Sequence, residues 1–96
     1  MDFDWDDGNR AKAQRHGVTL AEIEHAMRSG PRVAPDADHS LTEQRFIAIG
    51  RTVTGRRVFV AFCWRAGRIR PISARYMHAR EIARYDAAQG PEDDYR

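Results

Sequence analysis

Ninety-six residues, 42% hydrophobic and 31% charged, are enough for one folded domain and too few for two. No apolar run nears the roughly 18 residues of a membrane span, and the acidic opening Met1-Asp2-Phe3-Asp4-Trp5-Asp6-Asp7 is unlike a secretory signal. A cytoplasmic protein with no membrane contact is therefore expected. The single cysteine, Cys63, excludes an internal disulfide framework and a cysteine-based zinc knuckle.

The net charge of +2 conceals a segregation along the chain. Residues 1–43 hold nine acids and five bases; residues 44–85 hold ten arginines and one acid, Glu81; residues 86–96 hold four acids and Arg96. Genome composition can favour arginine over lysine, but it does not remove every acid between 44 and 80. A block this basic is the footprint of a domain that meets phosphates.

Phe3 and Trp5 alternate with acids, as in a short strand or an anchoring segment. Asp7 to Arg15 reads as a helix, acidic at its start and basic towards Gly17, which is placed to cap it. Its apolar face is alanine alone, so Trp5 or Val18 must hold it. A second helix opens on the capping-box pair Thr19 and Glu22, repeats Leu20, Ile23 and Met27 at helical spacing, and ends at Gly30-Pro31. Residues 35–43 form a polar loop. Phe46 to Val53 is a strand, Thr54-Gly55 a turn, and Arg57 to Trp64 a strand apolar on both faces, hence central and covered on each side. Ala66-Gly67 turns the chain into a third strand, Arg68 to Arg75, where Pro71 implies an edge or a bulge. Met77 to Asp86 is a short helix with His78, Ile82 and Tyr85 on one side. The expected class is α+β: two N-terminal helices, an antiparallel sheet of three to four strands and a C-terminal helix. Residues 1–88 make the single domain and 89–96 an acidic flexible tail.

Chemistry is narrowed first by elimination. His16, His25, His39 and His78 lack the short paired spacings of metal ligands, and Asp36, Asp38 and His39 read as a solvated turn. There is no glycine-rich phosphate loop and no serine elbow, and Cys63 sits within an apolar strand as an inert thiol. What remains is arginine. Arg51, Arg68, Arg70, Arg75, Arg80 and Arg84 can each fork onto a phosphate, or else pair with the acids of 1–43 or face water. Arg80 and Arg84 share one face of the last helix, Glu81 and Tyr85 a neighbouring one, with Tyr85 also able to pack beside Ile82. Such a cluster at a sheet edge can stabilise the charge of a phosphoryl transition state.

The order of these pieces resembles the BrnT family of toxins from bacterial type II toxin–antitoxin modules. The resemblance rests on Phe3-Asp4-Trp5-Asp6, Arg15-His16-Gly17-Val18, Pro35-Asp36-Ala37-Asp38-His39-Ser40 and Glu43-Gln44-Arg45-Phe46-Ile47-Ala48-Ile49-Gly50-Arg51. It continues through Arg68-Ile69-Arg70, Ile72-Ser73-Ala74-Arg75, Arg80-Glu81 and Arg84-Tyr85. Pro71 and Tyr76-Met77-His78 depart from the pattern. The resemblance implies a RelE-like fold, a ribonuclease that arrests translation, and a cognate BrnA-like antitoxin with a ribbon-helix-helix domain. Contact with DNA would come only through that antitoxin.

An RNA 2′-OH cuts its own chain when an enzyme aligns its attack on the adjacent phosphorus, stabilises the added charge and handles two protons. The expected catalytic set is His39, Arg75, Arg80, Glu81 and Tyr85, with His16 and His78 behind them for proton transfer. Arg51, Arg68, Arg70 and Arg84 are the expected RNA contacts, Arg51 serving also as a phosphate clamp. No metal and no cofactor are expected. The competing readings are a non-catalytic basic binding module and a degenerate toxin kept as a transcriptional co-repressor with its antitoxin.

Overall fold

The computed structural model describes residues 1–39 and 42–89. Asp6 starts helix α1 (Asp7–Ala13), its carboxylate accepting from the amides of Gly8 and Asn9 at 2.8 and 3.2 Å, while the Asn9 side chain accepts from the Asp6 amide. Seven residues are too few to persist as an isolated helix, so tertiary ties hold α1 in place. Ala13 and Val18 are fully buried, and the buried Asn9 amide donates to the carbonyls of Asp4 and Pro71 at 2.9 Å each. Helix α2 (Leu20–Arg28) carries the expected Thr19–Glu22 capping box and buries Ile23, Ala26 and Met27.

Four strands follow in a fully antiparallel meander: β1 (Arg32–Pro35), β2 (Phe46–Arg51), β3 (Arg57–Arg65) and β4 (Arg68–Tyr76). Strand β1 is missing from the sequence reading, because four exposed residues ending in proline carry no alternation to reveal them. β2 ends at Arg51, short of Val53, where Thr52 turns the chain by exchanging bonds with Arg56 and Gly55. Between the Ala61–Ser73 and Phe62–Pro71 pairs the register slips and Ile72 has no partner, which is the bulge that Pro71 implies. The β4 edge is covered at Ile69 by the N-terminal segment, through the Asp4 amide, the Asp2 carbonyl and an isolated parallel bridge to Phe3.

The sheet's alternation makes two unlike faces. Ala48, Val58, Val60, Phe62 and Ala74 face the helices and form the core with Ala13, Val18, Ile23, Ala26 and Met27. Gly50 lets α2 approach β2: a Cβ there would lie 2.6 Å from the Ala26 carbonyl oxygen. The second face is built of cross-strand rows, Arg51–Arg57, Ile49–Phe59–Arg75 and Ile47–Ala61–Ser73, and further along Cys63–Arg70 and Arg65–Arg68. Phe59 and Ala61 are only half-buried, so the cover expected on both sides of β3 is partial on this one. Helix α3 (Ala79–Gln89) returns to the Arg57–Arg75 end of that face and buries none of residues 79–88 completely. Most of the expected acidic tail, residues 90–96, and Ser40 and Leu41 of the polar loop lie outside the described residues. Among the described residues no helix is long and apolar enough to cross a membrane.

Candidate active site

The end of the second face nearest α3 gathers most of the expected catalytic residues. Arg75, on β4, donates from both terminal nitrogens to the two oxygens of Glu81 at 2.8 Å, and its Cζ lies 4.5 Å from the Phe59 ring centroid. Glu81 also accepts from the backbone amide of His78 at 2.9 Å, the half of a capping box that starts α3. The guanidinium and that amide hold the Glu81 carboxyl down from its ordinary 4.5 to about 2. Glu81 is thus ionised at any physiological pH and is a weak base; what it does is orient Arg75. The grip takes the end of the guanidinium and leaves its Nε edge unclaimed by Glu81, with the side chain 43% exposed.

The α3 helix is latched a second time by Arg57, which ion-pairs with Asp86 and lies 5.8 Å over the Tyr85 ring. Glu81, Ile82 and Tyr85 are the half-buried, sheet-facing residues of this helix. Arg80 and Arg84 fall on its outer side, exposed, and neither has an ion-pair partner among the described residues. Arg51, in the row of Arg57, is likewise exposed without one. His78 is exposed at the helix start, one residue before it.

The remaining expected residues are elsewhere. His39 closes a single 3-10 turn (Ala37–His39) at the opposite end of β2, its Nδ1 3.0 Å from Asp36. The Pro35–Phe46 row where that turn attaches is three strand residues, about 10 Å, from the Ile49–Phe59–Arg75 row. The structure therefore does not bring His39 to the Arg75–Glu81 pair. Arg70 is spent on structure: its guanidinium donates to Asp6 at 3.0 and 3.1 Å and to Asp4 at 3.3 Å, clasping the N-terminal segment to β4. Hydrogen bonding with Arg70 also lowers the Asp6 carboxyl below its usual range. Arg68 is exposed at the far end, paired across the strands with Arg65.

Cys63 is buried, its thiol pushed up by burial and by the neighbouring Glu43, as an inert thiol should be. Among the described residues no three of His, Cys, Asp or Glu converge on a position where they would hold a metal ion.

The arrangement is a guanidinium held end-on by a carboxylate with its other edge open, beside a helix that presents two further arginines, and such an edge can donate two hydrogen bonds to an anion. A family model described as "Ribonuclease toxin, BrnT, of type II toxin-antitoxin system" matches residues 5–81. The chain belongs to the BrnT toxin family. No curated protein matches it. Membership makes the chain a ribonuclease toxin by family and gives it an antitoxin as partner. The structure also gives a place to residues outside the expected sets. Arg57 lies outside both expected sets, yet it anchors the α3 helix of this BrnT chain to the sheet. Its place in the Arg57, Phe59, Ala61 alternation was the available signal. Arg45 and Arg65 share that face by the same alternation.

Proposed function

We propose that this BrnT chain is an endoribonuclease that cuts RNA without a metal, by attack of a 2′-OH on the adjacent phosphorus, at the Arg75–Glu81 end of the second face. The observation that carries this is the forked Arg75–Glu81 pair, which presents an oriented guanidinium edge on a half-exposed side chain. In the reaction the 2′-oxygen forms a bond to phosphorus as the bond to the 5′-oxygen breaks, leaving a 2′,3′-cyclic phosphate and a 5′-hydroxyl. Arg75 and Arg80 stabilise the charge added to the phosphoryl oxygens. Proton transfer falls to His78, beside Glu81 at the start of α3, in preference to His39 at the other end of the sheet. Tyr85 is the second proton-handling group, and Arg51 and Arg84 take flanking phosphates. Cleavage of this kind arrests translation in the cytoplasm, and a BrnA-like ribbon-helix-helix antitoxin neutralises it. The family supports the ribonuclease and the existence of an antitoxin; translation arrest, the cytoplasm and the BrnA-like type are what the resemblance implies.

The test is purified protein with a defined RNA. Wild type should yield cyclic-phosphate ends in the presence of EDTA, and Arg75→Ala should lose about 10²–10³-fold in rate. Cleavage abolished by EDTA overturns the metal-independent step. A wild type that binds antitoxin and operator but cuts no RNA overturns the enzymatic reading in favour of a co-repressor.

A further inference from the structure

Arg75 is held by more than its carboxylate. Its Nη1 also donates, more loosely, to the backbone carbonyl of Tyr76 at 3.4 Å. Phe59 lies directly across from it in the β3–β4 ladder, with the ring centroid 4.5 Å from the Arg75 Cζ. Directly opposed residues have Cβ atoms about 4.5–5.5 Å apart, so the register itself sets this contact. Phe59 takes no part in the core, whose rings among the described residues are the buried Phe62 and the partly buried Phe3, Trp5, Phe46 and Tyr76. Its own ring is half-buried on the other face of the sheet.

A guanidinium carries five N–H donors in a fixed plane. Nη1 gives its two to Glu81 and Tyr76, and Nη2 gives one to Glu81. Left over are Nε–H and the second N–H of Nη2, side by side on one edge. Parallel donors so placed match two oxygens of one phosphate. The anchors behind that edge are not equivalent. Glu81 stands on α3, which buries none of residues 79–88 completely, so it ties Arg75 to a helix that is itself lightly held. Phe59 and the Tyr76 carbonyl belong to strands, and they fix the guanidinium relative to the sheet. A cation within about 6 Å of a ring face is attracted to it, which opposes movement of the group away from the sheet.

We propose that Phe59 is a positioning residue for Arg75. It keeps the Nε–Nη2 edge aimed at one phosphodiester, where otherwise the Arg75–Glu81 pair would move as a unit with α3. The proposal rests on the ribonuclease reading above and adds to it the contact that fixes the charge-stabilising group in place.

Leucine at this position keeps an apolar side chain beside Ile49 but has no ring, whereas tyrosine keeps the ring. With a defined RNA, Phe59→Leu should lower kcat by about tenfold to a hundredfold, the scale of a misplaced catalytic group, with KM within about twofold of wild type. Phe59→Tyr should retain most of the wild-type rate, and circular dichroism checks that each variant folds. In an Arg75→Ala background the same Phe59→Leu change should alter the rate by less than about twofold, because the ring acts through the guanidinium. An equal loss in both backgrounds overturns the proposal, since a role in folding alone would give it. An unchanged kcat in Phe59→Leu overturns it too. A second readout needs no cleavage. The Arg75 Nε–H NMR signal, assigned by its loss in Arg75→Ala, should shift in wild type on addition of a fully 2′-O-methylated trinucleotide, and clearly less in Phe59→Leu. The same response in both proteins overturns the positioning role alone. A wild-type signal that ignores the trinucleotide overturns the substrate reading of this end of the face, and with it the use made of Phe59.

Discussion

Replacing Gly50 by alanine tests the packing that holds the whole scaffold. Gly50 is buried in β2 facing α2, and its backbone is outside the left-handed region, so alanine meets no conformational barrier there. The barrier is steric. The new methyl would stand 2.6 Å from the Ala26 carbonyl oxygen and 3.0 Å from both the carbonyl carbon and the Cβ of that residue. Two of those atoms are backbone, so no side-chain rotation relieves the contact and α2 must shift away from the sheet. Overpacking of this kind costs about 1–3 kcal/mol. A rigid backbone neighbour argues for the upper half of that range. At roughly 4–8 °C per kcal/mol for a domain of this size, Tm should fall by about 8–24 °C. At an open strand position the same change would stabilise by about 0.4–1 kcal/mol, by restricting the unfolded chain. The sign of the effect is therefore diagnostic. Urea melts followed by circular dichroism should show a lower midpoint at unchanged slope. Cleavage per folded molecule should stay at the wild-type level, because α2 packs on the face opposite Arg75. A neutral or stabilising result would refute the close approach of α2 to β2.

Asn9→Ala leaves the Asp4 and Pro71 carbonyls without their side-chain donor and should cost about 1–3 kcal/mol, read from the urea midpoint. The Glu81 carboxyl titrates at about 2 in the folded chain against an ordinary 4.5, so its contribution is complete above pH 4.5 and is lost as pH falls towards 2. Glu81→Gln should accordingly lose less stability than wild type across that window, and parallel acid melts of the two proteins would contradict the assignment. Arg57→Ala removes both the Asp86 pair and the contact with Tyr85. Amides of α3 should then exchange with deuterium at least severalfold faster while those of β3 hold their rates, and no change in α3 would mean that Ile82 packing holds the helix.

Most of the fold is legible in the sequence wherever a signal is local. The Thr19–Glu22 box, the Thr54-Gly55 and Ala66-Gly67 turns, the alternation of β3 and the break in register near Pro71 each depend on residues within a few positions of one another. Strand β1 was illegible because its existence depends on pairing with β2 across a loop, and its own four residues are all exposed. The candidate site divides in the same way. Glu81 and Arg80 come together with the start of α3 because they share it, and Arg75 is only a few residues upstream. His39 had a suitable chemistry and no local signal of its distance: that the 3-10 turn sits at the other end of β2 is a property of the register alone. The sequence left open whether Arg70 meets a phosphate or pairs with the acids of residues 1–43, and its capture by Asp4 and Asp6, more than sixty residues away, is decided by the tertiary fold.

That claim on Arg70 shows how the segregated charge is compatible with folding. The acids of the N-terminal segment do neutralise part of the basic block, but selectively. Asp4 and Asp6 take Arg70, Glu43 takes Arg65, and Asp86 beyond the block takes Arg57. Each of these pairs ties one element to another: the N-terminal segment to β4, the loop to β3, α3 to the sheet. Arg51, Arg68, Arg80 and Arg84 are exposed and have no such partner among the described residues, and none of them joins two elements. Exposed, unpaired arginines add little to stability and raise the self-repulsion of the folded chain. Their guanidinium groups are left available to an anionic surface outside the chain. Arg75 belongs to both groups, fixed by Glu81 at one edge and open at the other.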